Sequence, residues 1–90
     1  MLNSSQRPAE IDRLIGNNLR RIRQERKIPL ASLASALGLS PQKLSNHENG
    51  LTPISSGLLF CASEELDVPI NSFFPLVHAA NQNDVSNNRR

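Results

Sequence analysis

The chain has no tryptophan, no tyrosine and only three phenylalanines in its 90 residues. Any core must therefore be packed largely by aliphatic side chains, and 90 residues allow one small domain. A single cysteine, Cys61, excludes an internal disulfide framework and fits a reducing compartment. No apolar run approaches the ~18 residues of a membrane span. The first ten residues, MLNSSQRPAE, carry no hydrophobic signal region. A cytoplasmic protein without a membrane segment is expected. Residues 51–88 also lack lysine and arginine, while carrying Glu64, Glu65, Asp67 and Asp84. The first fifty residues hold eight basic side chains against four acidic ones, and the formal net charge of +2 hides this asymmetry. A basic half of this kind points to a polyanion-facing side.

Strand alternation and internal repeats are both missing; helical periodicity is what remains. Ile11, Leu14, Ile15, Leu19 and Ile22 recur at spacings of three and four, which predicts a first helix over about Ala9 to Lys27. Gly16 inside it costs about 1 kcal/mol relative to alanine and invites close packing. Pro29 marks the break after it. A second helix is expected over Leu30 to Leu37. Gly38 can end it in the left-handed conformation, Leu39 can drop into the core, Ser40 is a good N-cap and Pro41 a good first helical residue. A third helix then runs from Pro41 to Asn49 and stops at Gly50. Two helices joined by so short a turn form a helix-turn-helix. A fourth helix, capped by Ser55 or Ser56, buries Leu58, Leu59, Ala62 and Leu66. A short fifth carries Ile70, Phe73 and Phe74 and extends toward Val77. The expected organisation is a polar, disordered lead over 1–8, the domain over 9–79 and a disordered Asn-rich tail over 80–90.

On the third helix Leu44 is the one deep apolar position. Gln42, Ser45, Asn46 and Asn49 then fall on or near the opposite face. Gln and Asn suit bidentate contact with adenine, Ser serves several bases, and Lys43 suits a phosphate or guanine. His47, His78 and Cys61 share no metal-ligand spacing, so no metal site is expected. Cys61 reads as a small core residue of the fourth helix and His47 as a packing residue with one ring nitrogen wet. No nucleophile–base constellation or phosphate-cradling glycine loop occurs, so neither an enzyme nor a cofactor is expected.

The run GLSPQKLSNHENG, with IGNNLRRIRQERKI before it and LDVPINSFF after it, resembles the Cro/lambda-repressor-type helix-turn-helix family, often called the XRE family. The resemblance covers roughly Ile11 to Phe74. It implies an all-α, five-helix lambda-repressor-like domain that binds double-stranded DNA and regulates transcription, in a bacterial setting. It places Pro41, Gln42, Ser45 and Asn46 on bases and Asn49 on a phosphate. Lys43 and the helix-1 arginines Arg20 and Arg21 add phosphate attraction. It pairs Glu48 with Arg23 as a structural ion pair. Relatives also dimerise through the fifth helix, which makes Ile70, Phe73, Phe74 and Val77 candidate contacts for a homodimer on a two-fold symmetric operator. Two adjacent aromatics on a helix point about 100° apart, so one covers the base of the core and the spare ring, with Ile70, Leu76 or Val77, is free for a partner.

The chain departs from the family pattern in three ways. Pro29 and Leu30 stand where relatives carry a hydroxyl cap and a phosphate-gripping glutamine. Leu51 stands where a basic residue is common, and His47 where an apolar or aromatic one is usual. Each removes some grip on DNA or on the usual packing. The alternative reading is a protein-interaction module on the same fold, an antagonist or antitoxin of another regulator. Leu30, Leu51 and the acidic second half favour it; Gln42, Lys43, Asn46 and the basic first half oppose it.

Overall fold

A computed structural model of the chain describes residues 8–75. The described residues form four α-helices, α1 (Pro8–Glu25), α2 (Leu30–Ala36), α3 (Pro41–Glu48) and α4 (Ser56–Leu66), followed by a 3-10 helix over Ile70–Phe73. There is no strand among them. Pro8 is thus the first residue of α1 and not the end of a lead. The rest of the lead and the tail expected over 80–90 fall outside the described residues, as do His78 and Val77.

The helix starts follow local chemistry. The Ser40 hydroxyl accepts from the Lys43 amide at 3.1 Å, and Pro41 occupies the first turn of α3. Ser55, and not Ser56, caps α4 by accepting from the Leu58 amide at 3.1 Å. Pro29 precedes α2 in extended conformation and supplies no side-chain cap.

All four α-helices end in one way. A residue in the left-handed region follows each: Lys27 (φ 60°), Gly38 (φ 73°), Gly50 (φ 77°) and Asp67 (φ 56°). The next amide then reaches back five residues, Ile28 to Arg23 O at 3.1 Å, Leu39 to Ala34 O at 2.8 Å, Leu51 to Asn46 O at 2.9 Å and Val68 to Ser63 O at 3.0 Å. This is the Schellman closure, which satisfies carbonyls that the helix leaves open. Glycine enters this conformation freely, whereas a residue with a Cβ pays about 1 kcal/mol. Lys27 therefore turns the chain where the expected first helix had been carried through it. The residue after each turn is apolar. Ile28, Leu39 and Val68 pack against the core, but Leu51 is 73% exposed.

The core comprises Ile15, Leu19, Ile22, Leu33, Ala34, Leu44, Leu59, Ala62, Leu66 and Phe73. On α4 the inward seam is Leu59, Ala62, Ser63 and Leu66. Cys61 lies two positions from Leu59, about 200° around the helix. It is consequently exposed, which corrects its expected place in the core. Leu58 is only half-buried for a similar reason.

The expected fifth helix is, in its described part, a single 3-10 turn. Phe74 is already extended (φ −88°, ψ 150°) because it precedes Pro75, whose ring disfavours helical geometry one residue upstream. Asn18 Nδ2 donates to Phe73 O at 2.8 Å and ties the turn to α1. Phe73 is fully buried, so it belongs to the core and drops out of the candidate dimer contacts. Phe74 is 40% exposed beside Leu14, Asn18 and Arg21.

Candidate nucleic-acid interface

The packing of α3 decides which of its side chains can meet a ligand. Leu44, His47 and Glu48 are one helical turn apart and all point inward. Gln42, Ser45, Asn46 and Asn49 lie on the opposite side with the same spacing. Pro41, Gln42, Lys43 and Asn49 are exposed, and Ser45 and Asn46 are half-buried.

Three contacts hold α3 against α1. The first is the ion pair of Arg23 and Glu48. Arg23 Nε donates to Glu48 Oε2 at 2.7 Å, and Nη2 donates to Oε1 at 3.1 Å. Arg23 Nη1 also donates to Ile28 O at 2.9 Å, so one guanidinium joins α1, the turn before α2, and α3. Both residues are buried, at 8% and 3% exposure. This is bidentate geometry, which fixes orientation as well as distance. The second contact is Gly16. A Cβ there would lie 2.3 Å from His47 O and 2.9 Å from Glu48 O, so only glycine lets the α1 backbone approach the end of α3 this closely. The third is Gly50, whose Cβ would meet Arg13 Cα at 2.8 Å in a conformation already suited to glycine.

His47 lies between α3 and the loop after it. Its Nδ1 is 3.0 Å from Thr52 O. A carbonyl can only accept, so Nδ1 carries the proton. The ring is buried and committed to structure.

The outward face is itself hydrogen-bonded. Gln42 Nε2 donates to Asn46 Oδ1 at 3.0 Å. Arg20 Nη1 donates to Asn49 Oδ1 at 3.2 Å, and Asn49 Nδ2 donates to Ser45 Oγ at 3.4 Å. An open notch of about 230 Å³ adjoins this row, lined by Arg20, Gln24, Leu30, Ser45 and Asn49, with the ion pair at its base. Leu30 gives that notch an apolar wall.

The two helix-1 arginines part company. Arg20 reaches α3, but Arg21 is one residue on and pairs with Glu25 at 3.2 Å on the side that faces the 3-10 helix. Arg21 is therefore not brought to the α3 face. Arg20 and Arg23 are three residues apart, and that spacing was the available signal that both would reach α3. The link from Arg20 to Asn49, the notch and the contact of Gly16 with two carbonyls had no pattern of their own in the sequence.

No helix among the described residues is long and apolar enough to cross a membrane. No curated protein matches the chain in sequence. Solved structures do. The clp gene regulator ClgR from C. glutamicum is 29% identical, with 83% of this chain and 95% of that chain covered at a TM-score of 0.67. The hydroxypropylphosphonic acid epoxidase from S. wedmorenis is 26% identical with a TM-score of 0.68 over 72% of this chain, but this covers only 35% of the enzyme. The restriction-modification controller protein C.AhdI from Aeromonas hydrophila, at 22% identity and a TM-score of 0.65, covers 69% of this chain and 94% of that one and shares the fold. The family model described as Helix-turn-helix matches residues 19–73, a span that takes in α2, α3 and both glycine turns, and the chain belongs to the XRE-type helix-turn-helix family of DNA-binding transcriptional regulators.

Proposed function

We propose that the protein binds a two-fold symmetric operator as a homodimer and regulates transcription, with α3 in the major groove. The observation that carries this reading is the outward row of α3, Gln42, Ser45, Asn46 and Asn49, held rigid from behind by Leu44 and the Arg23–Glu48 pair. A helix presented in this way reads base edges with its N-terminal half. Pro41 packs on base edges at the entry to the groove. Gln42 gives one N–H to Asn46 and keeps its Oε1 and a second N–H. Those two groups match adenine, which offers N6–H and N7 on its major-groove edge. Lys43, Asn49 and Arg20 supply phosphate contacts, which set register and add salt-dependent affinity. ClgR is a gene regulator and C.AhdI a controller protein, and each resembles this chain over nearly its whole length.

The partner surface in this reading comprises Ile70 and Phe74, both exposed on the 3-10 segment, with Leu14 half-buried beside Phe74. Half-sites would lie about one helical turn of DNA apart.

The test is fluorescence anisotropy on the DNA upstream of the protein's own reading frame and on a scrambled duplex, across a salt series. Replacing Gln42 or Asn46 by Ala should cut the preference for the cognate duplex roughly 10- to 100-fold, consistent with ~1–3 kcal/mol per bidentate contact. The circular dichroism and the salt slope should stay unchanged, since neither side chain supports the core. Unaltered preference in both variants would remove α3 from base reading.

A second reading has its own observation. Leu51 and Phe60 are 73% and 55% exposed on the acidic half. A protein-interaction module would use such side chains against another regulator. It predicts that Gln42→Ala and Asn46→Ala leave activity intact and that Leu51→Ser or Phe60→Ser abolishes it.

A further inference from the structure

We infer that Arg20 is a positioning residue that acts through Asn49 to make Ser45 a hydrogen-bond donor toward DNA. The inference rests on α3 being the groove-facing helix and adds the chemistry of one of its readers.

Hydrogen-bond polarity along this row is fixed by which atoms can donate. A guanidinium has five N–H groups and no acceptor, so Arg20 can only donate to its neighbour. Its Nη1 lies 3.2 Å from Asn49 Oδ1. The amide of Asn49 is thereby oriented with its oxygen toward α1 and its nitrogen toward Ser45. Asn49 Nδ2 lies 3.4 Å from Ser45 Oγ. An amide nitrogen can also only donate, so Ser45 Oγ accepts. The hydroxyl then keeps its own proton for whatever lies in front of α3. The contrast within the molecule is Ser63, whose hydroxyl gives its proton to Phe60 O of its own helix at 2.7 Å.

Polarity matters because the bases differ in it. In the major groove guanine O6 and N7, adenine N7 and thymine O4 accept, while cytosine N4 and adenine N6 donate. A free serine hydroxyl can serve either kind and discriminates little. A hydroxyl whose lone pair is occupied by Asn49 favours an acceptor and rejects cytosine N4. Arg20 thus contributes to specificity from α1 without touching a base.

One substitution should reverse the preference. Asn49→Asp places two acceptor oxygens in the relay. One takes the Arg20 donor and the other takes the Ser45 proton, which leaves Ser45 offering a lone pair. Arg20→Met removes the anchor and lets the Asn49 amide turn either way. Asn49 and Arg20 are exposed, so both variants should fold.

The experiment is selection of binding sequences from a randomised double-stranded DNA library with the full chain and its variants, each first checked by thermal melting. In the wild type one position should relax on Ser45→Ala, by roughly tenfold in base ratio, in keeping with the energy of a base-edge contact. At that position Asn49→Asp should favour cytosine, whose N4 only donates, over the wild-type base, and Arg20→Met should relax the choice. If Ser45→Ala relaxes a position that Asn49→Asp and Arg20→Met leave unchanged, the relay is wrong while DNA reading by α3 stands. The relay also fails if Ser45→Ala alters no position of a sequence the wild type selects. If the wild type enriches no sequence at all, the DNA-reading assignment falls and the inference falls with it.

Discussion

Glu48→Ala should cost most of the stability of this domain, about 3–5 kcal/mol. Glu48 accepts two hydrogen bonds from Arg23, and both side chains are buried. The alanine variant leaves a buried guanidinium with Ile28 O as its one remaining hydrogen-bond partner among the described residues. The penalty is that of an uncompensated charge, and it exceeds what the pair itself contributes relative to apolar residues. Small domains have total stabilities of ~5–15 kcal/mol, so the variant should be largely unfolded or close to it at physiological temperature. Each kcal/mol moves the midpoint of a 60–100-residue domain by roughly 4–8 °C, and a drop of about 15 °C or more is expected in a thermal melt followed by circular dichroism. The companion experiment is Arg23→Met combined with Glu48→Leu. Removing both charges should restore most of the loss, because the desolvation problem disappears with the pair. Recovered folding with weakened base selectivity would identify the pair as the device that aims α3. A Glu48→Ala midpoint within a degree or two of the wild type would falsify the buried pair.

Gly16→Ala carries the second large effect, and its sign is the opposite of what helix propensity predicts. In an exposed helix interior, alanine is favoured over glycine by about 1 kcal/mol. At Gly16 the added Cβ would lie 2.3 Å from His47 O and 2.9 Å from Glu48 O. Both obstacles are backbone, so no rotamer change relieves them. The end of α3 must move away from α1, which stretches the Arg23–Glu48 contacts at the same time. Overpacking of this kind costs typically 1–3 kcal/mol, and here the upper end is expected even after the propensity gain. Gly57 is the internal control. A Cβ there meets nothing within 4 Å, so Gly57→Ala in α4 should raise stability by several tenths of a kcal/mol. Urea denaturation of the two variants should therefore show midpoints displaced in opposite directions. Equal displacements would mean that α1 and α3 do not approach so closely in solution.

Much of the fold was legible because it rests on local rules. The meeting of α2 and α3 is written locally, since Gly38, Ser40, Pro41 and Gly50 act through their own backbone preferences. So are the apolar seam of α1, the inward turn of Leu44, and the set of polar side chains left facing outward on α3. Those depend on 3.6-residue periodicity alone. The end of the fifth helix was legible too, in Pro75, although the aromatic pair before it drew the expected helix onward.

Choices between near-equivalent residues, and contacts between distant ones, were settled by the packed fold. Phe73 and Phe74 are alike as sequence, and the burial of one follows from where Asn18 anchors the turn. Arg20 and Arg21 are adjacent and identical, yet one reaches Asn49 and the other Glu25, because 100° of helix separates them and α3 packs on one side only. Lys27 and Asp67 turn the chain in a conformation that carries no glycine signal. Gly16 invites close packing as sequence, but that its partners are the carbonyls of His47 and Glu48, some thirty residues on, follows only from the fold. Local preference is written residue by residue, but the identity of a packing partner depends on the path of the whole chain. That is why the helices of this protein could be read from its sequence, and a family resemblance could pair Arg23 with Glu48, while the partners of Gly16 and Arg20 on the third helix came only from the fold.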